Sequence, residues 1–440
     1  RSCEKTRMMR VPRWLVAGPG EKPEPSVRSA LRETLAHLAS NPKDPAFSAL
    51  GSSAARRPAS VVLDDGTGDA WTVRIEEDRL SVSAGRARDA DTTITSDPLT
   101  LVGIVRGKRS GLEAFLRGRL RVRGNLSLAL ALDGLFDRRT LPTLLTRRSE
   151  RARAHRVNAA GIDTFYLDAG SGPPVVLLHG LGATNASMLP TLVALAGRHR
   201  VLAPDLPGFG DSEKPIASYD ARFFANWLAT FLDRVGVDRA HVVGNSMGGR
   251  IAIELALTSP SRVRTLSLLA PSMAFRRFRH AVPLVKFLSP EMGALPLPLL
   301  APHIHHGVRM LFARSSRLPS AWYDSAVDEF LRVFRTPRGR VALFAAARQI
   351  YLERPFGPTG FWSRLSRVTQ PALFVWGDRD RMVPSGFARH VEETLPHAKS
   401  VVLQDSGHVP QFEHPELTHE LISSFLADHA VDGAMRRAPG

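Results

Sequence analysis

The segment that most constrains the fold of this chain is residues 240–258, where a buried strand, a tight turn and a helix are predicted in succession. The apolar run Ala240-His-Val-Val leads into Gly244-Asn-Ser-Met-Gly248, and apolar residues at helical spacing follow. At such a turn the strand and the helix come so close that the positions two residues before and two after Ser246 must lack a side chain. Gly244 and Gly248 meet this demand. The segment therefore predicts an α/β fold in which Ser246 stands on a strained strand-to-helix turn.

Two later segments carry side chains that would complete a site with Ser246. Residues 372–377 predict a strand that ends in the acidic turn Asp378-Arg-Asp380, and residues 401–408 predict a strand that ends at His408. A serine hydroxyl needs a base within hydrogen-bond reach, and the base needs a third group that fixes its tautomer. The chain order serine, acid, histidine is the order found with this kind of turn. We therefore predict Ser246 as the nucleophile, His408 as general base and then general acid, and an acid of the 378–380 turn as the group that orients His408.

Two upstream runs extend this ordered set of motifs. They are Pro174-Val-Val-Leu-Leu-His-Gly-Leu-Gly182, a strand that runs into His-Gly, and Ala203-Pro-Asp-Leu-Pro-Gly-Phe-Gly-Asp-Ser212. Together with the motifs around Ser246 and His408, they resemble the α/β-hydrolase family over residues 155–430. The resemblance implies a mostly parallel sheet and a helical cap over the site.

The family resemblance also implies roles for individual residues. The family places its acid in a G-x-x-D turn, so Gly377-Asp-Arg-Asp380 favours Asp380 as the orienting acid, with Asp378 as the alternative. The implied oxyanion donors are the backbone N–H groups of Leu181 and Met247, each of which contributes about 3 kcal/mol in the transition state. Neighbouring polar residues are expected to be structural, as hydrogen-bonding or turn residues: His179, Asp211 and Ser212.

The cap is expected at about residues 273–361, between the strand Val263–Leu269 and the strand that precedes the acid. Its apolar, proline-broken runs at 281–288 and 295–302 and its amphipathic helix pieces suit a cover that excludes water and shapes an apolar pocket. An inward-facing cap is the favoured interpretation, and a lid that opens on a lipid surface, with transient membrane contact, is the alternative.

The amino-terminal part predicts a smaller α+β unit. Helical spacing is present at 26–38, 98–105, 111–116 and 126–135, and strand patterns are present at 59–63, 71–75, 80–83, 92–95 and 120–124. The last helix is apolar nearly all round, which is typical of a helix that is buried or lines an apolar cavity.

This unit resembles the SCP-2-like sterol-carrier family over about residues 28–137. The resemblance depends on Asp91-Thr-Thr-Ile-Thr-Ser-Asp97 and on the run from Ala114 to Ala131, Ala-Phe-Leu-Arg-Gly-Arg-Leu-Arg-Val-Arg-Gly-Asn-Leu-Ser-Leu-Ala-Leu-Ala. It implies a curved sheet and helices around an apolar tunnel that binds a lipid. Plain core packing without a ligand is the alternative.

A chain of 440 residues is too long for one compact domain, and two are expected. We predict an SCP-2-like domain at 28–145, an exposed basic linker at 146–156 and an α/β-hydrolase domain at 157–430. Residues 1–27 and 431–440 are expected to be flexible.

Composition narrows the function classes. The formal net charge is +17, but it is spread over the chain without a nucleic-acid motif, so no nucleic-acid partner is predicted. The single cysteine, Cys3, excludes an internal disulfide and suits a reducing, cytoplasmic compartment. The histidines at 303, 305 and 306 have neither acidic nor cysteine neighbours, so no metal is predicted, and no cofactor motif is present. The oligomeric state is left undetermined.

These residues predict a serine hydrolase that cleaves a carboxylic ester of a lipophilic acyl substrate through an acyl-enzyme at Ser246. One alternative is carbon–carbon bond hydrolysis, because Gly244-Asn-Ser-Met-Gly-Gly249 is similar to the turn of the meta-cleavage product hydrolases. Those enzymes usually carry tryptophan after the catalytic histidine, where this chain has Val409. A lipid carrier or sensor with an inactive hydrolase body is the alternative from a different class.

Overall fold

The computed structural model describes residues 26–39, 58–76, 80–135, 152–274, 289–295, 301–313 and 320–429. Outside these ranges lie residues 1–25 and 430–440 of the termini, residues 146–151 of the predicted linker, and residues 275–288 and 296–300 of the predicted cap, which include the apolar run 281–288 and most of the run 295–302. Within the described ranges, no helix combines the length and the apolar character needed to cross a bilayer.

The amino-terminal unit is a five-stranded sheet with helices. Its elements are α1 (Val27–Ala39), β1 (Ala59–Asp64), β2 (Ala70–Ile75), β3 (Leu80–Ala84), β4 (Thr92–Thr95), α2 (Pro98–Val105), α3 (Gly111–Leu116), β5 (Arg121–Gly124) and α4 (Leu126–Leu135). The strand order is β3-β2-β1-β4-β5. Strands β1 and β4 pair in parallel, and the other neighbours are antiparallel.

The carboxy-terminal unit is built on an eight-stranded sheet. Its strands are β6 (Arg153–Ala159), β7 (Ile162–Ala169), β8 (Pro174–Leu178), β9 (Arg200–Pro204), β10 (Ala240–Asn245), β11 (Val263–Leu269), β12 (Ala372–Gly377) and β13 (Lys399–Leu403), in the order β13-β12-β11-β10-β8-β9-β7-β6. The pairs from β9 through β8 and β10 to β13 are parallel, and β6 and β7 form an antiparallel edge.

Helices follow most of these strands. They are α5 (Leu189–Ala196), α6 (Ala221–Arg234), α7 (Met247–Thr258), α8 (Ala301–Met310), α9 (Ser320–Arg335), α10 (Pro337–Leu352), α11 (Phe361–Leu365), α12 (Phe387–Thr394), α13 (Pro410–Glu413) and α14 (Pro415–Asp428). Helices α8, α9 and α10 lie between β11 and β12 in the sequence, and we refer to them as the inserted helices. The strand order reverses at β8, which has β9 on one side and β10 on the other. The carboxyl ends of the strands at such a reversal form the usual ligand crevice of an open α/β sheet.

The predicted elements of the amino-terminal unit agree with the structure to within one or two residues, and two boundary predictions differ. Val27, assigned to a flexible terminus, begins α1 and is 3% exposed. Residues 153–156, assigned to the basic linker, are the first residues of β6 and pair with β7. Their arginines indicated an exposed linker, but an edge strand such as β6 can also carry arginines. In β6, Ala154 is buried and Arg156 pairs with Asp163 at 2.8 Å.

Candidate active site

Ser246 lies at the junction of β10 and α7 with a strained backbone, φ 52° and ψ −116°. Several hydrogen bonds fix this conformation. The Ser246 N–H donates to the carbonyl of Leu269 at 3.0 Å, and the Ser246 carbonyl accepts from the N–H groups of Arg250 at 3.1 Å and Ser272 at 2.9 Å. Neighbouring strand β11 and helix α7 thus stabilise a conformation that a serine in an isolated chain would rarely adopt.

The glycines on either side of Ser246 are required by close backbone contacts. A Cβ atom on Gly244 would lie 2.5 Å from the carbonyl carbon of Gly248. A Cβ atom on Gly248 would lie 2.2 Å from the carbonyl oxygen of Leu178, at the end of β8. Both contacts are with backbone atoms, which cannot rotate away. The pattern read in the sequence therefore has a steric cause in the structure.

Asp380 and His408 form a hydrogen-bonded pair at the carboxyl ends of β12 and β13. The Asp380 Oδ2 atom is 2.8 Å from His408 Nδ1. The other oxygen, Oδ1, accepts from the N–H groups of Met382 at 2.7 Å and Val383 at 2.9 Å. The side chain of Asp380 is 0% exposed and that of His408 is 6% exposed. A carboxylate held in this way places the imidazole proton on Nδ1 and leaves Nε2 as an acceptor.

The backbone of His408 is tied to the strand that carries Ser246. The Asn245 side-chain amide donates to the carbonyls of His408 at 3.1 Å and Leu269 at 3.0 Å. The His408 N–H donates to the carbonyl of Leu311, just after α8, at 2.7 Å. Asn245 therefore brings the predicted base next to the residue that precedes the predicted nucleophile.

Asp378, the alternative acid, has a different set of contacts. Its Oδ1 atom accepts from the N–H of Ser406 at 3.2 Å, and its Oδ2 atom lies 3.6 Å from Nε of Arg379. Its own N–H donates to the carbonyl of Leu403 at 3.0 Å. Asp378 thus holds the turn that leads to His408, whereas Asp380 contacts the imidazole.

The loop after β8 lies against Ser246. A Cβ atom on Gly180 would be 3.3 Å from Ser246 Cβ. Beneath the loop, His179 is fully buried, with Nδ1 2.8 Å from the Gly180 carbonyl and Nε2 accepting from the Leu206 N–H at 2.9 Å. Burial lowers the pKa of His179 to about 4, so this imidazole is neutral and supports the loop.

The two predicted oxyanion donors flank Ser246. Leu181 follows Gly180 in the loop, and Met247 is the first residue of α7. Across the part of the chain that the structure describes, neither of their N–H groups donates a hydrogen bond to the protein. Unpaired N–H groups beside a nucleophile, one of them at a helix start, are suited to a developing negative charge.

A buried acidic cluster lies beside this loop and was not predicted from the sequence. Asp205 is fully buried and accepts from the N–H groups of Asn185 and Asp211, each at 2.7 Å. Burial and, after it, the neighbouring Asp211 carboxylate raise the pKa of Asp205 to about 7, against the opposing effect of the Arg332 guanidinium. Asp211, predicted to be a turn residue, pairs with Arg332 at 2.7 Å.

The sequence does contain one indication of this cluster, but it has two interpretations. Glu329 and Arg332 are spaced i, i+3 in α9 and pair at 2.8 Å. In a sequence, such spacing indicates a solvated helix face at least as often as a buried ion pair.

The inserted helices bring apolar side chains next to His408. Val308 of α8, Phe312 after it, and Val327 of α9 form a buried cluster with Val409, the residue after His408. Phe330 of α9 lies over the oxyanion loop, since a Cβ atom on Gly182 would be 2.4 Å from its ring. The carboxyl edge of the sheet is therefore covered by apolar groups that exclude water.

The amino-terminal unit contains an apolar cavity. It is lined by side chains from its sheet and from α2 to α4, among them Phe115, Val122, Leu126 and Leu130. Its volume is about 30 Å³, roughly the share of one water molecule in the liquid. Within the described residues, the lining has the character expected for a lipid site, but a lipid chain would fit only if the cavity expands.

Comparison with known families agrees with both units. Residues 173–415 match the alpha/beta hydrolase fold, and residues 35–137 match the SCP-2 sterol transfer family. Both fold predictions made from the sequence are thereby confirmed.

Several curated proteins are similar to the hydrolase part. The pimeloyl-[acyl-carrier protein] methyl ester esterase of Aeromonas hydrophila is 29% identical over 58% of this chain and 96% of its own. A 2-hydroxy-6-oxononadienedioate/2-hydroxy-6-oxononatrienedioate hydrolase of Dechloromonas aromatica is 30% identical over 60% of this chain and 91% of its own. The dihydrolipoyllysine-residue acetyltransferase component of the acetoin cleaving system of Cupriavidus necator is 30% identical over 60% of this chain and 67% of its own.

Among solved structures, a membrane phospholipase A described as a bacterial virulence factor is similar, with a TM-score of 0.54 and 29% identity over 64% of this chain and 87% of that one. Esterase and carbon–carbon hydrolase relatives thus share the hydrolase unit. Because the hydrolase match covers more than half of the chain, and the sheet order and the turn at Ser246 agree with it, the chain belongs to the alpha/beta hydrolase fold family, with a region ahead of the hydrolase that matches the SCP-2 sterol transfer family.

Proposed function

We propose that this chain is a serine hydrolase that cleaves a carboxylic ester of a lipophilic substrate through an acyl-enzyme at Ser246. The observation that carries the proposal is the pairing of two features at one edge of the sheet. One is the strained turn at Ser246, and the other is the Asp380–His408 hydrogen bond of 2.8 Å, tied to the same strand by Asn245.

The proposed reaction has two steps. The Ser246 oxygen attacks the ester carbonyl while His408 Nε2 takes the hydroxyl proton, and the Asp380 carboxylate stabilises the imidazolium. The tetrahedral oxyanion accepts hydrogen bonds from the N–H groups of Leu181 and Met247. His408 returns the proton to the leaving alcohol, and the acyl group stays on Ser246. A water molecule, deprotonated by His408, then attacks the acyl-enzyme and releases the acid and the free serine.

The lipophilic character of the substrate is supported by the surroundings of His408. The buried cluster of Val308, Phe312, Val327 and Val409 offers apolar contacts rather than charges. The similar proteins include a methyl ester esterase and a membrane phospholipase A. A large apolar substrate group would gain roughly 25 cal/mol for each Å² that it buries there.

The test is labelling and turnover with the full chain. We expect an alkyl fluorophosphonate to modify Ser246 and the wild type to hydrolyse p-nitrophenyl esters, with longer acyl chains preferred. Ser246→Ala should lose labelling and about 10⁴-fold or more in kcat. Ester turnover that survives in this variant would place the chemistry elsewhere.

Carbon–carbon bond hydrolysis is the second candidate, supported by the 30% identity to the Dechloromonas aromatica hydrolase. Val409 weighs against it, because a small aliphatic residue follows the predicted base. Dienone and ester substrates assayed side by side separate the two, since faster dienone turnover would replace the ester proposal.

We also propose that the amino-terminal unit binds an apolar ligand, by expansion of its cavity. The match to the SCP-2 sterol transfer family and the apolar lining support this idea. Mass spectrometry of the intact chain under native conditions should detect a co-purified lipid. A protein that stays lipid-free, also after incubation with lipid vesicles, would favour plain core packing. Folded protein with bound lipid but without Ser246 labelling would instead favour a carrier with an inactive hydrolase body.

A further inference from the structure

We propose that Glu329 of α9 is a positioning residue for the oxyanion loop and that the amino-terminal unit holds it in place. This inference rests on the proposed function, because it assigns a role in forming the oxyanion site. It predicts that the amino-terminal unit acts on the chemistry itself, and not only on the supply of substrate.

One face of α9 is docked on the amino-terminal unit through a row of polar contacts. Trp322 Nε1 donates to the Phe115 carbonyl at 2.8 Å, and Ser325 Oγ donates to the Val122 carbonyl at 2.6 Å. One turn further, Asp328 accepts from the Gly124 N–H at 3.0 Å. Contacts at this spacing lie along one side of a helix, so β5 and its flanking residues hold the first half of α9 against the amino-terminal unit.

Glu329 of α9 contacts both units. It is 4% exposed. Its Oε1 atom accepts from the Leu126 N–H at 2.8 Å, and its Oε2 atom accepts from the Thr184 hydroxyl at 3.0 Å. Oε2 also pairs with Arg332 at 2.8 Å. Oε1 therefore contacts the amino-terminal unit, and Oε2 contacts the hydrolase unit.

The contact with the amino-terminal unit has a clear physical reason. Leu126 is the first residue of α4, so its N–H has no partner inside its own helix. A carboxylate at a helix start satisfies this N–H and is favoured by the helix dipole. Glu329 thus caps a helix of the other unit.

The contact with Thr184 reaches the oxyanion loop. Thr184 caps the short helix Asn185–Met188, and it lies three residues after Leu181, the predicted donor. The loop is a tight turn, with the Ala183 N–H donating to the Gly180 carbonyl at 3.3 Å. Phe330, next to Glu329, covers Gly182 of the same turn. A displacement of α9 would therefore move the turn that presents the Leu181 N–H.

Glutamine at 329 cannot keep the contacts with Leu126, Thr184 and Arg332 together. If its single carbonyl oxygen accepts from the Leu126 N–H, its NH₂ group points at the Arg332 guanidinium, which can only donate, and the Thr184 hydroxyl must turn to accept. If the oxygen stays with Thr184 and Arg332, the NH₂ group points at the Leu126 N–H. A buried donor without a partner costs free energy that the structure can avoid only by shifting. Either the oxyanion loop or the start of α4 would therefore move.

The experiment compares Glu329→Gln with Asp328→Asn, its neighbour on α9, which also contacts the amino-terminal unit but does not reach the loop. The substrate is a short p-nitrophenyl ester, which requires no lipid transfer. We expect Glu329→Gln to lose about tenfold or more in kcat with a nearly unchanged KM, and to lose fluorophosphonate labelling rate in proportion. Asp328→Asn should stay within about threefold of the wild type, because an asparagine oxygen still accepts from the Gly124 N–H, and the ion pair that it weakens is with Arg123, whose side chain is 56% exposed.

A second pair covers the outcome in which Glu329→Gln fails to fold. Thr184→Val removes the hydroxyl at constant volume and should reduce kcat like Glu329→Gln, whereas Thr184→Ser keeps the hydroxyl and should recover most of it. The loss of kcat in the double variant Glu329→Gln/Thr184→Val should be smaller than the product of the two single losses, because both substitutions remove the contact between Glu329 and Thr184.

The inference is overturned if Glu329→Gln keeps the kcat of the wild type, if it loses no more than Asp328→Asn, or if Thr184→Val is fully active. In these outcomes the wild type still turns over ester and still labels at Ser246, so the proposed function stands. A wild type without turnover or labelling refutes the proposed function, and the role of Glu329 with it.

Discussion

Replacement of Asp380 by asparagine should inactivate the enzyme through the tautomer of His408. The Oδ1 atom of Asp380 accepts from two backbone N–H groups, those of Met382 and Val383. An asparagine must keep its oxygen there, because its NH₂ group would otherwise face two donors. The NH₂ group then points at His408 Nδ1, which is forced to accept. The imidazole proton moves to Nε2, the atom that has to take the proton of Ser246.

The magnitude follows from this geometry. The fold of the turn is retained because the hydrogen bonds from both backbone N–H groups are kept. The loss of activity comes from His408, which can no longer act as the base. We expect kcat to decrease roughly 10⁴-fold, equivalent to about 5.4 kcal/mol of transition-state stabilisation. Circular dichroism should show an unchanged fold, and labelling of Ser246 by a fluorophosphonate should slow by a similar factor.

Asp378→Asn is the matched control. Asparagine at 378 can still accept from the Ser406 N–H, and the lost partner is Arg379, whose side chain is 66% exposed. An exposed ion pair contributes little, so activity should stay within a few-fold of the wild type. If Asp378→Asn instead inactivates and Asp380→Asn does not, the acid is misassigned. If neither variant loses activity, the mechanism through His408 is refuted.

Two further predictions concern stability. Gly248→Ala would place a Cβ atom 2.2 Å from the Leu178 carbonyl oxygen and should cost about 3 kcal/mol or more of unfolding free energy in urea, whereas Gly386→Ala, with no atom within 4 Å of its Cβ, should change it by less than about 1 kcal/mol. Equal effects would contradict the steric account. His241 is buried, and burial, with help from nearby cations, lowers its pKa to about 3. Between pH 6.5 and 3 the unfolded chain binds a proton there that the folded chain does not, so stability is lost as the pH falls. His241→Gln should remove about 1.4 kcal/mol per pH unit of this loss relative to the wild type. If the unfolding free energy changes with pH in the same way in the wild type and in His241→Gln, the lowered pKa of His241 is refuted.

Local sequence was sufficient wherever short-range sterics dictate the structure. The need for glycine at 244 and 248 follows from the crowding of a strand against a helix, and both positions are crowded by backbone atoms in the structure. The helices at 98–105 and 111–116 were predicted from helical spacing, and in the structure the side-chain oxygens of Asp97 and Ser110 cap them. The order of Ser246, Asp380 and His408 predicted the α/β-hydrolase fold, which the family match confirms. Their catalytic roles stay predictions.

Charged residues were the ones that the sequence alone could not place. A run of arginines at 147–156 is typical of a solvated linker, yet residues from 153 onward form an edge strand, because one face of such a strand meets water. The i, i+3 pair Glu329 and Arg332 is typical of an exposed helix face, yet Glu329 is buried between two units. A charge pattern carries no information about a partner that is distant in the chain.

The sequence by itself determined the class of the fold, the turn that holds Ser246 and the identity of the side chains that could act with it, because each of these depends on residues within a few positions of one another. Tertiary structure alone decided the contact between Asp380 and His408, the size of the amino-terminal cavity, and the link that α9 makes between that unit and the oxyanion loop. These features depend on contacts such as that of Leu126 with Glu329, which lie 203 residues apart and are set by how the elements pack together.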